Sequence, residues 1–281
     1  MSGVDPDTTP DSGEPGTLGR GCQSADRDPP LRWRRAPERP AASPGRVHVW
    51  QIDLDSDAQP TDDLEALLCD EERARAARFV HAHHRRRFAV RRAALRTILG
   101  RYLNTEPGAL RFVVGPHGKP ALAGAASSSG IRFNESHSDR LALIAVAHSR
   151  EVGIDIERIR PDVHLHDIAR RFLGPAAAQA LLALPPKDQP PAFMRCWCSK
   201  EACVKALGVG LAAGQDVLEA AMLPDSLLAA LRAPGWTVES DRWSVSALEI
   251  DTGFVAVLAV EGRDYTLAAF RYQTPGVPEG D

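Results

Sequence analysis

The order of strand-like and helix-like stretches predicts an α+β fold. Three observations carry this: strands come in runs broken by clustered helices instead of alternating with single helices, each half offers one long helix beside a sheet, and the C-terminal part returns to strands. With 43% hydrophobic and 25% charged residues, the 281-residue chain has the composition of a globular protein with a sizeable core.

Residues 1–45 are rich in Pro, Gly, Ser, Asp and Arg, with few periodic apolar positions, so they are expected to form a disordered extension. Alternation from Arg46 to Leu54 predicts the first strand. The stretch 61–79, opening on Thr61 or Asp62 with acids in its first turn, predicts a helix. A second helix is expected over 85–103, with Phe88, Ala89, Leu95 and Leu99 among its apolar positions. Strands follow near 110–114, 131–133, 141–147 and 151–159. A helix-rich stretch covers 165–209, and strands return at "RWSVSALEI", "GFVAVLAVEG" and "YTLAAFRY", the last two joined by a Gly-Arg-Asp turn.

A net charge of -3 gives no general attraction to nucleic acid or acidic lipid. Five cysteines form no CxxC pair, and with no apolar leader this points to free thiols in the cytoplasm. The strongest apolar run, 141–147, falls far short of the roughly 20 residues a membrane helix needs. "GVGLAAG" follows a helix and lacks dinucleotide spacing, so it reads as a helix end, and no P-loop or GxSxG motif is present.

The chemistry concentrates in two motifs. In "EVGIDIERI", Val152, Ile154 and Ile156 share one strand face while Gly153, Asp155 and Glu157 share the other, and the glycine is expected to leave room beside the acids. The plain alternative is an edge strand with solvated charges. In "WCSKEACVKALGVGL", Trp197, Glu201 and Lys205 fall four apart on one helix face, with Lys200 adjacent. The plain alternative there is a surface Glu-Lys pair. Together, a third carboxylate converging on Asp155 and Glu157 would suit Mg²⁺ holding a diphosphate, since Mg²⁺ takes hard oxygen ligands and shares its site with phosphates. Lys119, in the turn "GPHGKPAL", and Ser136, His137 and Ser138 in "RFNESHSDR" are further polar groups suited to phosphate.

The succession "GKP", "FNESHS", "VGIDIE" and "WCSKEACVKALGVGL" over residues 46–272 resembles the motifs of Sfp-type 4′-phosphopantetheinyl transferases. Glu135 departs from the pattern, standing where that family usually carries an apolar residue. The resemblance implies two pseudo-symmetric lobes, each a small sheet on a long helix: an N-terminal lobe at 46–150 for the coenzyme A nucleotide, a C-terminal lobe at 151–273 for metal and catalysis, and a tail at 274–281. It implies a monomer that moves 4′-phosphopantetheine from coenzyme A to a serine of an apo acyl or peptidyl carrier protein, releasing 3′,5′-ADP. Asp155, Glu157 and Glu201 would hold Mg²⁺, with Mn²⁺ as a substitute, and Glu201 would also accept the serine proton. Lys205 and Lys200 would stabilise phosphate charge, while Arg75, Arg87, Lys119, Ser136 and His137 would meet the nucleotide. Two other classes are a coenzyme A-binding regulator without catalysis, which would lack one acid, and a nucleic-acid-binding protein using the Arg85–Arg101 helix.

Overall fold

A computed structural model describes residues 31–160, 165–173, 175–209, 237–239 and 242–273. In chain order the elements are β1 (Trp33–Arg35), β2 (Arg46–Asp53), α1 (Thr61–Ala66), α2 (Asp70–Ala76), α3 (Ala82–Leu103), β3 (Phe112–Val114), β4 (Pro120–Leu122), β5 (Ile131–Ser138), β6 (Leu141–His148), β7 (Val152–Arg158), α4 (Leu165–Leu173), α5 (Pro175–Leu182), α6 (Gln189–Leu207), β8 (Thr237–Glu239), β9 (Trp243–Leu248), β10 (Phe254–Glu261) and β11 (Thr266–Arg271).

Strand alternation sorts these elements into four layers. Trp50 and Ile52 of β2 and Ile144 and Val146 of β6 pack with Ala93, Leu95, Ile98 and Leu99 of α3. The opposite faces of the same strands carry Val47, Val49, Leu141 and Leu143, which pack with Ile154, Ile156, Leu258 and Val260 from the second sheet. That sheet's outer face presents Val257 and Ala259 to Phe193, Cys198 and Ala202 of α6. The sequence of layers is therefore α3, a five-stranded sheet, a four-stranded sheet and α6. Each fully buried large aliphatic side chain contributes about 1.5–3 kcal/mol of hydrophobic stabilisation.

The five-stranded sheet has the order β1-β11-β2-β6-β5 and the four-stranded sheet the order β7-β10-β9-β8, while β3 and β4 form a separate hairpin. The edge strands β5 and β7 lie against each other at the junction, joined by side chains. Asn134 Oδ1 accepts from the Ile154 backbone N–H at 2.9 Å, and Ser136 and Ser138 reach Asp155 and Glu157. The near-constant sequence offset of these bonds means that the two strands run parallel.

Several expectations change. The helix expected over 61–79 is two, because Glu72 folds back to accept from the Cys69 N–H at 3.1 Å and starts a new helix there. α3 begins at Ala82, before the expected Arg85. Trp33–Arg35, inside the stretch expected to be disordered, pairs with β11. β10 and β11 flank the Gly-Arg-Asp turn but enter different sheets, so β11 crosses from the C-terminal half to lie beside β2. The expectations for residues 1–30 and for the tail at 274–281 fall outside the described residues, as does most of "GVGLAAG" beyond the left-handed Gly208 (φ 67°) that ends α6. Among the described residues no helix is long and apolar enough to cross a membrane.

Candidate active site

The acidic face of β7 is turned to α6. Gly153 makes this approach, since a Cβ there would lie 2.0 Å from Ala202 O and 2.4 Å from Ala206 N. The space expected for a ligand beside Gly153 is filled by the α6 backbone, and the glycine's role is to bring helix and strand together. Four-residue spacing on α6 then places Trp197, Glu201 and Lys205 with Asp155 and Glu157 along one cavity of about 1250 Å³, which Ser136, His137, Arg75, Arg91 and Arg92 also line.

Asp155 is 3% exposed. Its Oδ1 accepts from Lys205 Nζ at 2.6 Å and from Ser136 Oγ at 2.8 Å, and Lys205 Nζ also donates to Ser136 Oγ at 2.9 Å. Glu157 Oε2 accepts from Ser138 Oγ at 2.8 Å, and Ser138 Oγ accepts from the Arg158 N–H at 3.0 Å. Asp155 Oδ2 and Glu201 Oε1 are buried and have no hydrogen-bond partner. Burial raises the carboxyl pKa of Glu157, and the Asp155 charge adds to the rise. Glu201 is raised by burial and then by Asp155. Three acids with two donorless buried oxygens face the single ammonium of Lys205, and a hard dication would offset the negative charge left over. Among the described residues no three His, Cys, Asp or Glu side chains already stand close enough to enclose a metal. Lys205 holds Asp155 instead. The donor set fits Mg²⁺, whose oxygen ligands need only partly come from protein.

The nucleotide-binding candidates are distributed unevenly. His137 lines the acid-bearing cavity, and partial desolvation followed by the Arg91 charge lowers its pKa, so it is neutral near pH 7. Arg75 sits 5.4 Å from the Phe88 ring and lines both this cavity and an adjoining one of about 840 Å³. Arg87 lines the adjoining cavity and is held by Asp55 at 2.6 and 2.7 Å and by Asp139 at 3.0 Å.

Lys119 and Lys200 lie elsewhere. Lys119 Nζ donates to Glu151 Oε2 at 2.6 Å, to Val152 O at 3.3 Å and to Ala206 O at 2.9 Å, and it lines a different cavity of about 440 Å³. Its charge meets the carbonyl end of α6, where cations are favoured. Lys200 is about 100° around the helix from Glu201 and donates to Phe172 O over the Phe172 ring.

Ser138, one of the hydroxyls expected beside phosphate, instead anchors Glu157, in a polar stripe with Asn134 and Ser136 on one face of β5. Arg91 and Arg92, outside the expected set, line the cavity wall. Nothing local singled out Arg91 or Arg92 among the many arginines of α3. The unusual Glu135 has its explanation here, because it accepts from Arg92 at 2.9 Å and forms an ion pair with Arg91 at 2.8 Å.

Comparison with known proteins identifies the family. Residues 151–266 match the model of the 4′-phosphopantetheinyl transferase superfamily, and residues 58–149 match that of the 4′-phosphopantetheinyl transferase N-terminal region. The 4′-phosphopantetheinyl transferase HetI of Nostoc sp. is 40% identical over 230 residues, which is 82% of this chain and 94% of HetI. The 4′-phosphopantetheinyl transferase of Bacillus subtilis is 30% identical over 171 residues, 61% of this chain and 74% of the relative. The human L-aminoadipate-semialdehyde dehydrogenase-phosphopantetheinyl transferase is 29% identical over 166 residues, 56% of this chain and 53% of the relative. With both halves matched in order and a relative covered almost end to end, the chain belongs to the 4′-phosphopantetheinyl transferase family.

Proposed function

We propose that the protein transfers 4′-phosphopantetheine from coenzyme A to a serine of an apo acyl or peptidyl carrier protein and releases 3′,5′-ADP. The observation that carries this reading is the pair of donorless carboxylate oxygens, Asp155 Oδ2 and Glu201 Oε1, buried beside Lys205 in an arginine-lined cavity. Asp155, Glu157 and Glu201 are the residues that would hold Mg²⁺, or Mn²⁺ in its place. When bound, the ion would supply positive charge that offsets the charge developing on the leaving phosphate.

The chain's own groups supply the rest. The carrier serine oxygen forms a bond to the phosphopantetheine phosphorus while the bond from that phosphorus to the 3′,5′-ADP oxygen breaks, and the serine proton passes to Glu201 directly or through a water. A carboxylate with a raised pKa is suited to accept it. Lys205, held at Asp155 and Ser136, presents its ammonium to the phosphates. Arg75 has no carboxylate partner among the described residues and meets the nucleotide as a free cation, whereas neutral His137 donates a hydrogen bond. Lys119 and Lys200 support α6 and its packing.

The same reading takes the protein to be a cytoplasmic monomer that does not bind nucleic acid. The arginines of α3 favour this, for they turn to internal partners: Arg85 to Glu65, Arg86 to Gln59 O, Arg87 to Asp55, and Arg92 and Arg96 to Glu72. A coenzyme A-binding regulator would have lost one of the three acids, and all three are present. The test is incubation with coenzyme A, Mg²⁺ and a panel of apo carrier proteins, followed by mass spectrometry of each carrier. A mass gain of one phosphopantetheine, lost with Glu201→Gln, supports the reading, and no gain on any carrier with protein that still binds coenzyme A overturns it.

A further inference from the structure

Glu135 lies on β5 two residues from His137, so both side chains take the same strand face, and both line the acid-bearing cavity. It ends a ladder of charges across the cavity wall. Arg96 Nε donates to Glu72 Oε2 at 2.6 Å, Arg92 Nε donates to Glu72 Oε1 at 2.8 Å, Arg92 also donates to Glu135 Oε1, and Arg91 forms an ion pair with the same oxygen at 2.8 Å. Arg91, Arg92 and Glu135 are each 12% exposed. Arg92 is shared with Glu72, but Glu135 is the one carboxylate that compensates Arg91 among the described residues. Its second oxygen, Oε2, is buried without a partner. Packing alone does not ask for a carboxylate here, and an apolar residue would leave no such orphan.

We propose that Glu135 is a specificity-determining residue, an internal counter-ion that occupies Arg91 and so weakens the pocket's hold on the 3′-phosphate of coenzyme A. This rests on the transferase reading, in which His137 meets the nucleotide, and adds that the group it meets is the 3′-phosphate. A phosphate arriving beside His137 finds Arg91 already engaged and a second anion within the same wall. At this degree of burial the repulsion is poorly screened, and the phosphate must share or displace the Glu135 contact. The residue therefore sets how strongly the site distinguishes nucleotides that carry a 3′-phosphate from those that do not.

Calorimetric titration with 3′,5′-ADP and with 5′-AMP tests this without a carrier protein or turnover, and melting of each variant without nucleotide controls for folding. Glu135→Gln is expected to bind 3′,5′-ADP about tenfold tighter, the effect of one charge interaction of ordinary strength. It should change 5′-AMP binding far less, and the gain should vanish when Arg91→Met is added. Unchanged or weaker 3′,5′-ADP binding by folded Glu135→Gln, or equal tightening of both nucleotides, overturns the proposal. Arg91→Met alone gives a second route if Glu135→Gln does not fold. It removes the compensating charge and should weaken 3′,5′-ADP about tenfold, so unchanged binding also overturns the proposal. If the unaltered protein binds neither nucleotide, the transferase reading falls with it, whereas binding that ignores residue 135 removes this inference alone.

Discussion

At Glu201 the demands of fold and chemistry oppose each other. Its carboxyl is raised above the ordinary 4.5 because it is buried and faces Asp155, while its Oε1 has no donor. An acid whose folded pKa is raised costs stability once the pH exceeds the unfolded value, because the unfolded chain releases the proton more readily. Glu201→Gln is therefore expected to abolish transfer yet raise the melting temperature in chelator-treated protein. A gain of about 2–4 °C near neutrality corresponds to about 1 kcal/mol in a chain of this size. The gain should shrink as pH falls and vanish below 4.5, where the native glutamate is protonated in both states. Calorimetry at two pH values checks it, and a variant less stable than the parent near neutrality contradicts the account. Added Mg²⁺ should then raise the melting temperature of the parent more than that of the variant, because binding to the folded state stabilises by mass action.

Between elements, the contact of β7 with α6 decides whether the three acids meet. Gly153 has no space for a methyl group against Ala202 O and Ala206 N. Gly153→Ala should force the two elements apart, cost about 3 kcal/mol, the upper end for overpacking, and lower activity even in the fraction that folds. A denaturant titration beside a transfer assay would show it, and near-normal values for both would mean that α6 can shift without harm. Lys119 ties the start of β7 to the end of α6 through Val152 O and Ala206 O. Lys119→Ala is therefore predicted to lower the unfolding midpoint while changing the KM values for coenzyme A and 3′-dephospho-coenzyme A by the same factor. A loss confined to coenzyme A would return Lys119 to the 3′-phosphate.

Across the whole molecule, chain order and spatial order part at β11. This C-terminal strand lies between β1 and β2, so the five-stranded sheet is completed only after the four-stranded sheet has been traversed. The apolar layer between the sheets takes residues from both halves. A fragment spanning residues 46–150 would expose the edge of β2 and the face carrying Val47, Val49, Leu141 and Leu143, an invitation to aggregation. We expect that fragment to show no cooperative thermal transition, and chain 31–273 to unfold in a single one. A soluble fragment with its own sharp transition would contradict this.

By itself, the sequence determined the α+β class, the strand carrying Asp155 and Glu157, the helix carrying Glu201 and Lys205, and, through the resemblance of its four motifs, the family. The strand and the helix follow from short-range periodicity, which a strand's two-residue and a helix's four-residue repeat write directly into neighbouring positions. Only the tertiary structure decided what those faces meet. It gave the space beside Gly153 to a helix instead of a ligand, took Lys119 and Lys200 out of the acid-bearing cavity, and gave Glu135 its arginines. It also carried β11 across to β2. Those outcomes depend on contacts between residues far apart in the chain, Lys119 with Ala206 or Arg46 with Thr266. No local pattern encodes such contacts, because a side chain's partner is fixed only when the layers close and each buried charge must find its opposite.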